Sequence, residues 1–386
     1  MNKKIVCFII ILFVFVIFSP TTNLCYADEL SDVIKNQLDN LDFDEVENFI
    51  NSLEDKLFFD GGFFEYVKGV LSGKSNFNIV SVFNVFLQYI MSDIIEILPT
   101  LFAVLGVSLF CSVAYMNKSS FLSESTKDVI FFVCFATVIL LVLSDVASIL
   151  SKVYKSIYSL SELSQCVFPI LLTLMVASGG NVSANIYTPT VAFLSTGFVA
   201  ILTKFLFPLI TIMLILGIVG NISKNVSLEK AHDFTVSLGK WSLGLCVTIF
   251  SFFITVQGIC SAITDGVSLR VTKYALSNSI PLIGGFLSGG FDLVLAGSVL
   301  IKNAVGVGSL FLILVITIKP ILTLIVYRLL IMLFSAVIDP ISDKRFTSYL
   351  SILNKTLSFL LALVIAVAFM IFVLLLLLVC SANSFI

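Results

Sequence analysis

Charged side chains are scarce in this sequence. They make up 12% of the 386 residues, whereas hydrophobic residues make up 59%. Soluble globular domains carry about 25% charged and roughly 45–50% apolar residues, so the composition predicts an integral membrane protein in a lipid bilayer. The formal net charge is −2, and lysines and arginines form no cluster. We therefore expect no nucleic-acid partner, because contact with its phosphates would need a basic stripe on the protein.

Histidine is almost absent, since His232 is the only one in the chain. This argues against histidine-based metal sites and against a serine–histidine–acid arrangement for acyl transfer. The glycine pairs at 284–285 and 289–290 lack the lysine of a phosphate-binding loop. A membrane aspartyl protease would require two aspartates paired at mid-span. Asp145 and Asp292 lie near the ends of predicted spans instead. We therefore predict neither enzymatic activity nor a bound metal or cofactor.

The eight cysteines occur singly and form no CxxC pair. Zinc sites and redox-active motifs need pairs at that spacing. Apart from Cys7 and Cys25, we expect the cysteines to pack as small hydrophobic side chains in the membrane region.

The first 27 residues have the three parts of a secretory signal peptide. Lys3 and Lys4 give a basic start, an apolar run follows over residues 5–18, and a small residue, Ala27, precedes the expected cleavage point. The alternative is an uncleaved first helix. In both cases the chain from Asp28 onward is predicted to be exported.

Residues 28–92 differ from the remainder and form a predicted exported segment. Half of the 24 acidic residues lie between positions 28 and 65. Apolar residues recur among them at helical spacing, which predicts short amphipathic helices. These helices are too few to bury a core alone. They either dock a partner outside the membrane, or lie on the membrane or on the protein's own loops.

Long hydrophobic runs fill residues 93–386, the predicted transmembrane domain. A helix needs about 20 apolar residues to cross a hydrocarbon core of about 30 Å. We therefore expect an all-α polytopic protein with about eight membrane-spanning helices, give or take two. The clearest spans are 97–115, 129–151, 205–223, 241–264, 292–318, 320–338 and 356–386. Residues 163–203 are uncharged and long enough for two further crossings.

Two of the apolar pieces are short and end in Ser-Gly-Gly, at Ser178 within 163–189 and at Ser288 within 274–291. Short, glycine- and proline-interrupted segments in two halves of a chain are typical of broken helices in transporters. The alternative is two unrelated glycine-rich loops. For both segments, the choice between crossing and re-entering the membrane stays open.

Basic residues give a weak indication of orientation. An external Asp28 and alternating crossings place three basic pairs on the cytoplasmic side: Lys118 with Lys127, Arg270 with Lys273, and Lys344 with Arg345. The opposite loops, however, are expected to carry five lysines: Lys152, Lys155, Lys224, Lys230 and Lys240. We therefore base the orientation on the signal peptide.

Charges inside apolar segments are costly and thus informative. Arg328, near the middle of span 320–338, would cost roughly 2.5–3.5 kcal/mol unless it pairs or reaches water. We expect it to face other helices, with Asp292 or Asp145 as partner. It then either joins helices as a buried ion pair or lines a hydrated pathway.

Three lysines also lie in or beside apolar runs: Lys204, Lys302 and Lys319. They either line the same pathway or extend to a membrane interface, a behaviour known as snorkelling. For the lysines we favour snorkelling.

The most distinctive stretch follows span 320–338, which starts at Lys319-Pro320. It consists of Asp339, Pro340, Ile341, Ser342, Asp343, Lys344 and Arg345. Pro340 disfavours helical geometry at Asp339, so the helix is predicted to end here. This loop, ahead of one last apolar helix, resembles the stage III sporulation protein AE family of endospore-forming bacteria. The layout of a signal peptide, a short acidic region and many hydrophobic segments is similar as well.

The resemblance implies a non-enzymatic, multi-pass subunit in the mother-cell membrane around the forespore. Its implied partners are the other stage III sporulation A-operon membrane proteins and, through them, a forespore channel protein. Together they would form a secretion-like channel complex required for spore development. The alternative, drawn from the interrupted segments and the intramembrane charges, is a self-contained secondary transporter for a small solute.

Overall fold

A computed structural model describes residues 28–53, 62–72, 79–116, 124–222, 228–279 and 284–381. Residues 1–27, and with them the predicted signal peptide, lie outside these ranges. The regular structure within them is entirely helical, which confirms the predicted all-α class. In chain order the helices are α1 (Asp28–Asp39), α2 (Asp44–Ser52), α3 (Phe63–Leu71), α4 (Ile79–Met116), α5 (Glu124–Ala177), α6 (Asn181–Ala192), α7 (Val199–Ile201), α8 (Phe207–Ile222), α9 (Glu229–Ser279), α10 (Gly284–Ile338) and α11 (Lys344–Cys380).

Two π-helical segments, Phe193–Phe198 and Leu202–Leu206, join α6, α7 and α8 into one continuous helical run. α11 lies at the centre of the bundle, because most of its apolar side chains are buried. The division predicted at residue 92 falls inside α4, and the division itself stays a prediction.

Six helical runs in the described ranges are long and apolar enough to cross a membrane. Six is the lower limit of the predicted number, about eight give or take two. The two longest, Thr126–Ala177 and Gly289–Ile338, have 52 and 50 residues. At 1.5 Å per residue they are about 75–80 Å long, more than twice a hydrocarbon core of about 30 Å. A large part of each must therefore lie outside the hydrocarbon.

Two predicted spans form a single helix, because α10 runs without interruption through Lys319 and Pro320. The predicted return of the chain at this point is wrong. Pro320 removes one backbone hydrogen bond, but α4, α5 and α11 all pack along α10, and neighbouring helices compensate such losses in membrane bundles. Pro340 does end a helix, since α10 stops at Ile338. That part of the prediction is confirmed.

A tight turn at Ser178, Gly179 and Gly180 separates α5 from α6. Gly179 has φ 89°, a conformation that glycine adopts without strain. Its N–H donates to the Val176 carbonyl at 2.9 Å, and the Gly180 N–H donates to the Met175 carbonyl at 2.8 Å, which is the Schellman pattern. The glycines at 289–290 lie inside α10 instead. The two Ser-Gly-Gly segments therefore have different local structures.

The bundle has two ends, which we call the motif end, at the turn of residues 339–343, and the Gly179 end, at the turn of residues 178–180. α9 runs towards the Gly179 end: His232 bonds Thr356 of α11 at 3.1 Å, and Gln257 donates to the Ile186 carbonyl of α6 at 3.2 Å. Arg270 lies further along α9, away from the motif end.

The predicted placement of Arg270 on the same side as Lys344 is therefore wrong. The error comes from the residues around Lys152 and Lys155, which were expected to form a loop between two spans. These lysines lie inside α5, a single helix from residue 124 to 177, so the chain makes one crossing fewer before Arg270.

The acidic helices α1, α2 and α3 pack on the long helices in the half nearer the Gly179 end. Gln37 of α1 donates to the Val294 carbonyl of α10 at 3.1 Å. A Cβ atom added to Gly308 of α10 would lie 2.8 Å from Phe63 and 2.9 Å from Tyr66 of α3. Burial in this contact raises the pKa of Tyr66 to about 12. The helices α1 to α3 of the predicted exported segment thus pack on the protein itself. They pack on its long helices and not on its loops.

Candidate functional site

The distinctive loop forms a rigid turn between α10 and α11. Asp343 caps α11: its Oδ1 atom accepts from the backbone N–H of Arg345 at 2.9 Å. The same carboxylate binds the Arg345 guanidinium at two points, each 3.1 Å long. Such fork-shaped pairs fix geometry as well as charge. The turn is tied to α4 as well, because the Ser112 hydroxyl donates to the Ile341 carbonyl.

Aromatic side chains of α5 hold the start of α11. The Arg345 guanidinium lies 3.1 Å from the centroid of the Phe131 ring. Phe346 is buried and packs edge-on against Phe131 and Phe135, with centroids 5.4 and 5.5 Å away. The motif residues Asp343 and Arg345 therefore act as a clamp that shapes the turn and joins the start of α11 to α5.

Next to this turn, a polar cleft of about 610 Å³ lies between α10 and α11. Its lining combines hydroxyl, amide and charged groups with apolar side chains of both helices. The lining residues are Ile331, Met332, Ser335, Ala336, Asp339, Lys344, Thr347, Ser348, Leu350, Ser351 and Asn354. Two of them, Asp339 and Lys344, belong to the distinctive loop, so the cleft begins at the motif end.

Arg328 donates from Nε to the amide oxygen of Asn354, a lining residue of the cleft, at 3.0 Å. Its predicted carboxylate partners are wrong. Asp292 is exposed and lies 36 positions earlier on the same helix, about 54 Å away at 1.5 Å per residue. Asp145 of α5 accepts from the Thr100 hydroxyl of α4 at 3.4 Å. Arg328 thus joins α10 to α11 by a charge-assisted hydrogen bond, and not by an ion pair.

A second polar group joins α4, α5 and α10 further from the motif end. Asp93 of α4 is 7% exposed and accepts from the Thr323 hydroxyl of α10 at 2.7 Å. The Lys152 ammonium of α5 lies 3.9 Å from Asp93 and 3.3 Å from Glu96. The sequence contained one signal for this group: Asp93 and Glu96 are three residues apart, on one helix face, directly before an apolar run. We did not predict either residue as part of a site.

The three intramembrane lysines have different surroundings. Lys302 is 0% exposed and donates to the Ser381 carbonyl at the end of α11, so it does not extend to an interface. Lys204 is exposed in a π-helical segment. The Lys319 ammonium lies 5.4 Å from the centroid of the Tyr89 ring of α4. The structure therefore does not bring the predicted charged residues together in one pathway.

The chemistry available to these groups is binding and positioning. Among the described residues, no group of three or more histidine, cysteine or acidic side chains is placed to hold a metal ion. His232 is buried against Thr356, and next to it Lys355 bridges α11 to Asp233 of α9 at 3.0 Å. These contacts fix neighbouring helices to each other.

Comparison with known proteins gives a consistent result. The family model of stage III sporulation protein AE matches residues 62–382. A curated protein of that name from Bacillus subtilis (strain 168) is 23% identical over 362 residues, which is 93% of this chain and 90% of the relative. No solved structure matches.

Proposed function

Because the chain belongs to the stage III sporulation protein AE family, we propose that it is a non-enzymatic, multi-pass membrane subunit of a secretion-like channel complex between mother cell and forespore. Family membership itself gives the protein a role in sporulation, and the six long apolar helices indicate a membrane location. The observation that carries the proposal is the family match, which covers residues 62–382 and with them the distinctive loop and the cleft.

The site is consistent with a structural subunit. Its charged groups are engaged in contacts within the protein: Arg328 with Asn354 and Lys355 with Asp233 join helices, and Asp343 binds Arg345 at the start of α11. In this proposal the partners are the other stage III sporulation A-operon membrane proteins and, through them, a forespore channel protein. The location is the mother-cell membrane that surrounds the forespore, with the acidic segment on the side facing the forespore.

The test is a C-terminal fluorescent fusion in the native host, combined with deletion of the gene. We expect fluorescence only during sporulation and concentrated around the forespore, and loss of heat-resistant spores on deletion. A strain complemented with the wild-type gene is the control. Uniform fluorescence in growing cells, together with normal spore numbers on deletion, would contradict the proposal.

The polar cleft favours a second candidate, a self-contained transporter. The cleft has a volume of about 610 Å³ and is open to the surface, and hydroxyl groups and Asn354 form part of its lining. Purification separates the two candidates. A transporter binds or moves a small solute when purified alone, whereas a complex subunit is inert alone and is isolated together with membrane partners from sporulating cells.

A further inference from the structure

Polar side chains line the contact between α4, α5 and α10. On each helix they recur at spacings of three, four or seven residues, so each set lies on one helix face. We call these residues the three-helix seam: Asp93, Glu96 and Thr100 of α4, Asp145 and Lys152 of α5, and Lys319, Thr323 and Tyr327 of α10. The seam contains three carboxylates and two lysines, which leaves one negative charge without a matching positive charge.

Both lysines act on one end of the seam. The Lys152 ammonium lies 3.9 Å from Asp93 and 3.3 Å from Glu96, and Lys319 acts electrostatically on Asp93 as well. Asp145 forms no ion pair with any lysine or arginine of the described residues. The unmatched negative charge of the seam therefore lies on Asp145.

Asp145 has few partners of any kind. Its Oδ1 atom accepts from the Thr100 hydroxyl at 3.4 Å, which is long for a hydrogen bond between a hydroxyl and a carboxylate. Its Oδ2 atom is buried and has no hydrogen-bond partner within the described ranges. An ionised carboxylate in this position is costly, because a buried charge needs a countercharge as well as hydrogen bonds.

Tyr327 of α10 has a second oxygen of the same kind. The residue is 0% exposed, and its hydroxyl also lacks a hydrogen-bond partner in the part of the chain that the structure describes. The Asp145 carboxylate acts electrostatically on this hydroxyl, so the two unpartnered oxygens lie near each other. Buried polar atoms are nearly always paired in folded proteins, and two such atoms together indicate a place for a further group.

The same helices do pair a carbonyl that lacks its usual donor. Pro320 has no backbone N–H to donate to the Ile316 carbonyl, four residues earlier in α10. The Ser156 hydroxyl of α5 donates to that carbonyl instead, at 3.0 Å. The two unpartnered oxygens are therefore not the result of loose packing between α5 and α10.

Solvent reaches the seam on its α4 side. The Glu96 side chain is 59% exposed and acts electrostatically on Asp145, which is itself only half-buried. Glu96 precedes Thr100, the hydrogen-bond partner of Asp145, by four residues, or about 6 Å along the helix. A small cation attracted by Glu96 thus has a short distance to travel to the Asp145 carboxylate.

We propose that Asp145, Thr100 and Tyr327 form a binding site for one monovalent cation, supplied either as Na⁺ or as a proton. Na⁺ would bind the carboxylate and the two hydroxyl oxygens, since hard cations prefer oxygen ligands. A proton on Oδ2 would donate to the Tyr327 hydroxyl oxygen, directly or through one water. Each neutralises the unmatched charge, and ionisable residues among membrane helices commonly mark ion or proton sites.

The other ionisable groups near the site leave this charge balance unchanged. Glu96 of α4 and Lys152 of α5 act on Asp145, but they contact each other at 3.3 Å and their charges offset. Tyr349 of α11 acts on Tyr327 and is neutral near neutral pH. The bound cation is therefore balanced by Asp145 itself.

The first arm of the test is thermal unfolding of the purified full-length protein in detergent, with NaCl exchanged for choline chloride at constant ionic strength. If Na⁺ is the cation, we expect the wild-type midpoint to rise with Na⁺ concentration, because a ligand that binds only the folded state stabilises it. Asp145→Asn should abolish this rise. Asp292→Asn, which changes an exposed carboxylate of α10, should retain it.

The second arm is infrared spectroscopy in Na⁺-free buffer, which detects the C=O band of a protonated carboxylic acid. If a proton is the cation, we expect this band in the wild type and in Asp292→Asn, and its loss in Asp145→Asn. Tyr327→Phe keeps the buried ring and removes only the hydroxyl, so it should weaken the response to Na⁺ or shift the band. This variant decides the test if Asp145→Asn does not elute as the wild type does.

The proposal is overturned if the wild type responds in neither arm, because the two oxygens would then share an ordered water only. A response that persists unchanged in both Asp145→Asn and Tyr327→Phe would also overturn it, since the cation would then bind elsewhere. Neither arm depends on spore formation, so the proposed function is tested separately.

Discussion

At the scale of single residues, the distinctive loop owes its form to a few local contacts. Asp343 occupies the N-cap of α11 and also binds Arg345. An N-cap carboxylate accepts from an otherwise unpaired backbone N–H and opposes the positive end of the helix dipole. Two of the loop's charged residues, Asp343 and Arg345, thus bind each other.

Asp343→Ala should destabilise the protein by about 1 kcal/mol, within the range for lost N-caps of about 0.5–2 kcal/mol. Thermal unfolding in detergent measures this as a lower midpoint. Lys344→Ala is the matched control, since Lys344 is exposed in the same turn. An equal loss in both variants would show that the cap and clamp are not what stabilises this turn.

Arg328 and Asn354 should behave as a coupled pair. Asn354→Leu leaves the guanidinium without its amide partner, and an unsatisfied buried group costs about 1–3 kcal/mol, more when it is charged. Arg328→Leu combined with Asn354→Leu should recover part of that loss, because two apolar side chains can replace a polar pair.

A double-mutant cycle of unfolding free energies measures this coupling, with Ser351→Ala in the same cleft as control. Strict additivity of the two single changes would show that the hydrogen bond between Arg328 and Asn354 contributes nothing. Full stability of the double variant together with lost spore formation would assign Arg328 a functional role beyond packing.

At the scale of helices, glycine allows α10 and α11 to approach closely. A Cβ atom added at Gly306 would fall directly against the Val379 side chain, so the helices have no room for a methyl group there. Lys302, one turn earlier, is buried against the last carbonyl groups of α11. Small residues at such positions are typical of membrane helix interfaces.

Gly306→Ala should therefore destabilise the protein by about 1–3 kcal/mol, the usual cost of overpacking. Val379→Ala in the same chain should restore part of it by making space. Gly289→Ala is the control, because no atom lies within 4 Å of a Cβ atom at that position of α10. The close-approach argument fails if Gly306→Ala and Gly289→Ala have the same unfolding midpoint.

The helices also show the limit of local prediction. The end of α10 at Ile338 follows from Pro340, whose ring acts on its immediate neighbour, and was predicted. The continuation of α10 through Pro320 was not, because it depends on α4, α5 and α11 packing around it. On hydropathy, residues 292–318 and 320–338 were predicted as two crossings, since each stretch alone is long enough to span the hydrocarbon core.

At the scale of the whole molecule, α1 to α3 and the long helices form one assembly. Phe63 is 0% exposed and lies against Gly308. Docking of α3 thus buries an aromatic side chain on a helix that is distant in sequence.

Gly308→Leu should displace α3 from α10, because its side chain would occupy the place of Phe63 and Tyr66. Hydrogen exchange in detergent should then become faster at the backbone amides of α3, while that of α11 stays unchanged. Gly290→Leu is the control, since a Cβ atom there meets nothing within 4 Å. Unchanged exchange in α3 would contradict the docking contact.

The sequence alone determined that this is an all-α membrane protein with a loop characteristic of its family. Composition, apolar run lengths and the local effect of Pro340 are properties of neighbouring residues, so they need no tertiary information. The partner of Arg328, the burial of Lys302 and the joining of predicted spans were decided only by the tertiary structure. The physical reason is that an apolar run has the same hydropathy whether lipid or protein surrounds it. Only the packing of distant helices decides which of the two does.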